Sequence, residues 1–546
     1  MQDWWRGAVI YQVYPRSFQD SNGDGVGDLP GVTARLEHIA RLGVDAIWLS
    51  PIFPSPMADM GYDVSDYVGI DPLFGTLADF DKLVARAHAL ELKVIIDQVL
   101  SHTSDQHPWF AESRADRDNP KADWYVWADP LPDGGPPNNW ASVFGGPAWE
   151  WDTRRRQYYL HNFLASQPDL NFHSGAVQDA VLDVLRFWLQ RGVDGFRFDT
   201  VNYFFHDRKL RSNPPAERDD RLPAVNPYDM QDHLRDKAQP ENIAFLKRVR
   251  TLMDHFSART SVGEVGESGA KAIEIMADYT RGGKRLHMAY SFEMLGPDFT
   301  ARHFRKAVER FFRAAPDGWP CWSFSNHDVI RHASRWKGQA ADVDALAKQA
   351  AALLLTLQGS ACLYQGEELG LEESELALEE LTDPPGIRFW PDYKGRDGCR
   401  TPMVWDGGNA ASGFSTGKPW LPVKAPQAAR HVAGQEEDPA SVLAFYRAML
   451  AWRRLRPALR TGGTRFLKTD EPVLAFLRQG PKDTVACVFN LSAETRVAKL
   501  RGLALAADAP SQGAGLIGAK LTLGPNGFAF LDAQPGAAEP RVSYKV

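Results

Sequence analysis

Three carboxylates close short apolar runs in this chain. Asp199 ends "GFRFD" (195–199), Glu264 lies in "SVGEV" (261–265), and Asp328 ends "CWSFSNHD" (321–328). A fourth, Asp97, sits in "LKVIIDQV" (92–99), with His102 just beyond it, and His327 stands beside Asp328. One such residue is ordinarily a helix cap. Several of them at the ends of separate strands need another account, because a parallel fold brings those ends to one mouth. Paired carboxylates there fit acid/base or glycosidic chemistry. One attacks while ionised, and the other stays protonated to hand its proton to a leaving oxygen. Strand alternation puts Arg197 on the face of Asp199 and turns Phe196 and Phe198 the other way. A charged pair facing inward is costly unless paired or used, and Arg197 would keep Asp199 ionised.

The elements that must position these groups are legible. The runs at 8–15, 46–51, 92–99, 195–200, 261–265, 288–295, 321–328 and 361–368 are short, nearly continuously apolar and rich in β-branched and aromatic residues. That pattern predicts strands buried on both faces. Between them, "LADFDKLVARAHALEL" (77–92) puts Phe80, Leu83, Val84 and Ala87 on one helical face. "AVQDAVLDVLRFWLQRG" (176–192) does the same with Val177, Val181, Leu185, Trp188 and Leu189, and Gly192 is its expected stop. Alternating strands and helices predict an α/β fold with a parallel sheet, and roughly eight strands close a (β/α)₈ TIM barrel. Residues 103–171 are rich in Gly, Pro and Trp and read as a loop-rich inserted domain. Residues 371–424 are a candidate second insertion. The barrel is expected over 1–102 and 172–462, and short alternating strands over 463–546 predict a C-terminal antiparallel β-sandwich.

Bulk properties exclude several functions. A chain of 546 residues exceeds one compact core and predicts about two to four domains. A formal charge of -7 gives no basic field, so no nucleic-acid partner is expected. No run of ~18 apolar residues occurs, so no membrane span is expected. The start "MQDWWRGAVIYQVYPRSF" lacks the pattern of a secretory signal, and the four cysteines (Cys321, Cys362, Cys399, Cys487) show no CxxC spacing of a zinc site. These features together predict a reduced, cytoplasmic protein.

"DQVLSH", "GFRFDT", "VGE" and "FSNHD", in this order, resemble the four signature regions of glycoside hydrolase family 13, the α-amylase family. "QPDLNF" (167–172) is similar to a fifth region of its α-glucosidase and oligo-1,6-glucosidase group, and "GYDVSDY" and "RTPMVWD" to further motifs. The resemblance covers nearly the whole chain. It implies that Asp199 is the nucleophile, Glu264 the general acid/base and Asp328 the transition-state stabiliser. It implies that His102, Arg197 and His327 bind the same glucose, that Tyr62 stacks beneath it, and that Phe144 and Phe163 contact substrate. Asp59 and Arg400 would close the pocket at the non-reducing end. Glu267, three residues past Glu264, reads as a loop or cap residue. Thr200 follows the nucleophile, and in this group Thr there goes with α-1,4 preference. The implied enzyme is a retaining exo-acting α-glucosidase that takes maltose, malto-oligosaccharides and also sucrose, with transglucosylation and as a monomer or homodimer. Oligo-1,6-glucosidase, sucrose-cleaving enzyme and trehalose synthase are the alternatives within the family. Its non-catalytic relatives lack the carboxylates that this chain keeps.

"DSNGDGVGD" (20–28) places Asp20, Asn22, Asp24 and Asp28 at alternating positions, an oxygen-donor set suited to Ca²⁺, with Mg²⁺ as the alternative. The EF-hand pattern fails, because its twelfth position is Gly31. The resemblance implies one structural ion instead, with the Val26 carbonyl as a further ligand, and no organic cofactor. The family's first region usually carries an Asn calcium ligand where this chain has Ser101, which sets aside the α-amylase type of calcium site.

Overall fold

The computed structural model describes residues 3–217, 225–340, 342–534 and 539–545. Eight strands form one parallel sheet: β1 (Val9–Val13), β2 (Ala46–Leu49), β3 (Lys93–Gln98), β4 (Gly195–Phe198), β5 (Thr260–Val265), β6 (Met288–Ser291), β7 (Cys321–Ser323) and β8 (Ser360–Tyr364). Their order is β7-β8-β1-β2-β3-β4-β5-β6. A parallel bridge from Ala289 to Pro320 joins β6 to the residue before β7 and closes the ring into a (β/α)₈ barrel. Each of the eight apolar runs supplies one strand. With one exception, the only strand residue not fully buried being Lys93, both faces are covered, as continuous apolarity requires.

Helices follow the strands and shield them. Asp28 caps Leu29–Leu42 by accepting from the Gly31 N–H. Thr76 and Asp79 form a capping box at the start of Leu77–Ala89, which buries Phe80, Leu83, Val84 and Ala87. Gly175–Gln190 buries Val177, Val181, Leu185, Trp188 and Leu189, and Gly192 follows it in the left-handed region at φ 105°. Phe196 and Phe198 join the large core between barrel and helices. A second core fills the barrel interior with Ile10, Trp48, Ile95, Val262, Met288 and Tyr290. Arg197 enters that interior and lies 4.8 Å from the Trp48 ring centroid. The two Phe and the Arg of one strand therefore point to opposite sides, as period-two alternation demands.

Two excursions leave the barrel. Between β3 and β4 the chain forms a three-stranded sheet from Trp127–Ala128, Trp149–Asp152 and Gln157–Leu160. Between β8 and the final barrel helix (Val442–Arg454) run short helices such as Pro384–Arg388 and Asp397–Arg400. The excursions touch at Gly145, whose φ of 91° only glycine adopts freely. A Cβ there would meet the Phe389 ring at 2.6 Å, so a side chain would push the second excursion away. The C-terminal strands form an antiparallel network joined through the long strand Lys520–Ala533. Leu474, Phe476, Phe489, Phe528 and Phe530 pack into the core shared with the barrel helices, while Val473, Ala475, Leu477, Val488 and Leu531 belong to a separate core. All four cysteines are buried and unpaired. Among the described residues no helix is long and apolar enough to cross a membrane.

Candidate active site

The C-terminal ends of the strands open into a cavity of about 710 Å³. Asp59, Tyr62, His102, Phe144, Phe163, Asp199, Thr200, Glu264, His327 and Asp328 all line it. Residues from six parts of the sequence thus meet at one mouth, because parallel strands share a direction.

Arg197 organises the floor. Its Nη1 donates to Asp199 Oδ1 at 2.6 Å and to Asp97 at 2.8 and 3.0 Å. Its Nη2 lies 2.7 Å from Glu264 Oε2. Asp199 and Glu264 therefore hang from neighbouring nitrogens of one guanidinium. Thr200 ties them again: its N–H donates to Glu264 Oε2 at 3.0 Å and its hydroxyl to Asp199 Oδ2 at 3.2 Å. To do so Thr200 adopts φ 37°, ψ 50°, an outlier for a β-branched residue. Strain of that kind collects at functional sites.

The two carboxyls differ in proton affinity. Burial, opposed chiefly by Arg197, raises Asp199 to about 6. Burial, opposed by Arg197 and reinforced by the charges of Asp199 and Asp328, raises Glu264 to about 8. Asp328 goes the other way. Burial acts against its charge, yet His327, Arg396 and Arg400 hold it below the usual carboxylate range. One group is thus poised ionised and another protonated near neutrality.

The histidines are neutral donors. Gln12 Nε2 donates to His327 Nδ1 at 2.8 Å, so Nε2 carries the proton and faces Asp328 Oδ2 at 3.3 Å. His102 Nε2 lies 2.9 Å from the Tyr62 carbonyl, which can only accept. His102 Nδ1 is therefore bare and receives the Ser101 hydroxyl at 2.9 Å. Burial lowers His102 to about 4 and pushes His327 well below its ordinary value. Tyr62 stacks on His327 at 5.1 Å and 7°, and Phe144 meets Phe163 edge-on at 5.7 Å.

The far wall needs a correction. Arg396, not Arg400, faces Asp59 across the cavity. Arg396 donates to Asp59 at 2.8 Å, to Asp328 at 3.2 Å and to Asp383 at 2.6 Å, and lies 5.0 Å from the Phe144 ring centroid. Arg400 is fully buried behind the wall, where it donates to the His327 carbonyl at 2.8 Å and to Asp328 at 3.1 Å. The two arginines stand four apart on one short helical turn, so sequence could name the turn and not its inward side. Sequence reasoning also left out Tyr290, which contacts Arg197 and Glu264, and Lys237, which lines the cavity beside Tyr203 and Tyr228. Tyr290 sits inside an apolar run and reads as packing. Glu267 lines the cavity too, paired with Lys237 at 3.0 Å.

The acidic loop wraps around Asp20. That carboxylate accepts the N–H groups of Asn22, Gly23 and Gly25 and the Ser415 hydroxyl. Asp28 accepts from Ser21 and Gly31. Asn22 and Asp24 each accept through Oδ1 the N–H two residues on. The donors are all oxygen, the chemistry of a hard cation. Among the described residues no three His, Cys, Asp or Glu side chains cluster as a metal site, so any ion here would draw on Asn22 and the Val26 carbonyl as well.

Comparison with known proteins agrees with this geometry. The family model "Alpha amylase, catalytic domain" matches residues 12–462. A "Probable alpha-glucosidase" of Rhizobium meliloti (strain 1021) is 60% identical over 504 residues, 91% of each chain. The oligo-1,6-glucosidase of Heyndrickxia coagulans is 36% identical, over 91% of this chain and 93% of that one. The crystal structure of an alpha-glucosyl transfer enzyme superposes with a TM-score of 0.94 at 54% identity, covering 97% of this chain and 99% of the other. A barrel closed in this order, these carboxylates at its mouth and likeness along nearly its full length have one reading: the chain belongs to the α-amylase family of glycoside hydrolases.

Proposed function

We propose that the protein is a retaining, exo-acting α-glucosidase. It removes one glucose from the non-reducing end of short α-glucosides, prefers α-1,4 bonds, and also passes the glucosyl unit to acceptors other than water. The observation that carries this is the closed wall opposite the catalytic pair, where Arg396 ties Asp59, Asp328 and Asp383 together. A wall joined in that way at one end of the cavity supports a pocket for a terminal sugar rather than a cleft for a chain running through.

In this reading Asp199 attacks the anomeric carbon and Glu264 protonates the departing oxygen. Glu264, now ionised, then takes a proton from the water or acceptor hydroxyl that releases the glucosyl ester. Hanging both carboxyls from one guanidinium supports the short separation, about 5–5.5 Å, of a retaining pair. Asp328, held ionised, favours positive charge on the ring. Catalysis needs Asp199 charged and Glu264 protonated. A bell-shaped kcat/KM profile follows, rising with pH through about 6 and falling through about 8. A profile flat from pH 5 to 9 would contradict it.

The Thr200 hydroxyl, in the cavity wall beside the nucleophile, supports the maltose-type preference. Among the described residues seven acidic side chains line the cavity, including Asp229, Glu267 and Asp392, against two permanent cations, Lys237 and Arg396, both already paired. A phosphorylated sugar would meet that charge unfavourably. Rates on maltose, isomaltose, sucrose, trehalose and trehalose 6-phosphate test the proposal, with the anomer of released glucose followed by NMR. Maltose is expected to lead, with α-glucose released first and the phosphorylated sugar inert. A higher rate on isomaltose would favour the oligo-1,6-glucosidase reading, and initial release of β-glucose would overturn the retaining mechanism.

We also propose that Asp20, Asn22, Asp24, Asp28 and the Val26 carbonyl hold one hard cation, Ca²⁺ or Mg²⁺. Support comes from the oxygen-only donors and from how the loop is anchored. The Asp20 N–H donates to the Phe414 carbonyl, its carboxylate accepts the Ser415 hydroxyl, and the Gly25 carbonyl accepts from the Trp420 N–H. An ion there would brace the second excursion against the barrel. Removing it with EDTA is expected to lower Tm by several degrees, restored by Ca²⁺ or Mg²⁺. An unchanged Tm would refute the site.

A further inference from the structure

We propose that Tyr290 is a positioning residue for the acid/base: Arg197 turns its hydroxyl into an obligate donor, and that donor fixes the Glu264 carboxyl. The inference rests on the reading of Glu264 as acid/base.

The hydrogen-bond inventory leaves little freedom. A guanidinium has five N–H donors. The Arg197 Nη1 pair serves Asp97 and Asp199. Its Nη2 donates to the Tyr290 oxygen at 2.8 Å and pairs ionically with Glu264 Oε2 at 2.7 Å. Its Nε–H also goes to the Tyr290 oxygen, at 3.1 Å. Tyr290 thus receives two of the guanidinium's N–H groups. A phenol oxygen that accepts two N–H groups can only send its own hydrogen onward. Glu264 Oε1 is the acceptor, at 3.1 Å. The group is buried, with Tyr290 3% and Arg197 1% exposed.

This fixes Glu264 from two sides. Oε2 faces Arg197 and the Thr200 N–H, and Oε1 faces Tyr290. Arg197 by its charge, and the Thr200 N–H and Tyr290 hydroxyl by donating, each favour the carboxylate. Burial and the charges of Asp199, Asp328 and Asp97 favour the acid. The acid/base must serve in both forms, as acid in the first step and base in the second. Tyr290 weights the balance toward the base and stops burial from locking the proton on. It also keeps the guanidinium from rotating, because without its oxygen two buried N–H groups lose their partners.

The test is the pH profile of Tyr290→Phe on maltose, with Tm and KM measured alongside. Losing a donor to the carboxylate raises its proton affinity, so the alkaline limb of kcat/KM is expected to move up by about half to one pH unit. A fall in kcat of about tenfold should accompany it, with KM within about threefold. Incorporation of 3-fluorotyrosine at position 290 keeps the shape and strengthens the donor, and is expected to move the limb down. It carries the test alone if Tyr290→Phe does not fold. A limb unmoved in these variants, even with lower Tm or kcat, overturns the role. Glu264→Gln separates the two claims. If it stays active with its alkaline limb intact, the acid/base reading fails. If it is inactive while the Tyr290 variants match the parent, only the present inference fails.

Discussion

The Asp199→Gly enzyme is expected to hydrolyse maltose at least about 10⁴-fold more slowly than the parent, because the covalent half of the reaction is removed at its source. Binding should survive, since Tyr62, His102, Asp59 and Arg396 remain. Azide supplies the sharper readout. In the space vacated by the carboxylate it can attack the anomeric carbon from the same side that Asp199 would. The leaving oxygen departs from the other side, so one inversion occurs and the product is β-glucosyl azide. Formation of α-glucosyl azide, or activity within tenfold of the parent, would falsify the assignment. The structure gives the assignment its footing. Asp199 ends β4, its Oδ1 accepts Arg197 at 2.6 Å, and it stays accessible from a cavity lined with sugar-sized polar groups.

Glu264→Gln is the second large effect, and its size should depend on the leaving group. Maltose leaves as a poorly acidic sugar hydroxyl and needs the proton, so its kcat/KM should fall about 10³- to 10⁴-fold. A p-nitrophenyl α-glucoside leaves as a stabilised anion and needs little help, so its first step should fall far less. The alkaline limb near pH 8 should vanish with the carboxyl that causes it. With azide present, Glu264→Ala should give α-glucosyl azide, because the nucleophile is intact and two inversions occur. The opposite azide anomers separate nucleophile from acid/base without any structure. Glu267→Gln is the control. Its carboxylate pairs with Lys237 and Lys271, so KM is expected to change more than kcat. Equal losses on both glucosides for Glu264→Gln, or a dead Glu267→Gln, would reverse the two roles.

The barrel was legible because parallel strands buried on both faces run as unbroken apolar segments, and all eight stood out. The carboxylates that line the cavity were legible for the converse reason. Asp199, Glu264 and Asp328 interrupt such segments at the end where the mouth must lie, and no packing argument accounts for a charge there. Glycine at 192 is a local signal that needs no tertiary knowledge.

Other features had no local signal. Arg396 and Arg400 are the same residue type one turn apart in an irregular excursion, and only the packing of that excursion against Asp59 selects Arg396. Thr200 is a β-branched residue with no preference for φ 37°; the demand to reach Glu264 and Asp199 at once imposes it. Tyr290 is indistinguishable from core until β6 is laid beside β5 and its hydroxyl meets Glu264.

The sequence by itself determined the order of strands and helices, the family and the carboxylates at the strand ends, because periodicity and interrupted apolarity are properties of neighbouring residues. The tertiary structure alone decided which arginine meets Asp59, which hydroxyl meets Glu264, and in which direction each carboxyl is pushed from its ordinary proton affinity. Those outcomes depend on donors, charges and burial supplied by residues tens to hundreds of positions away.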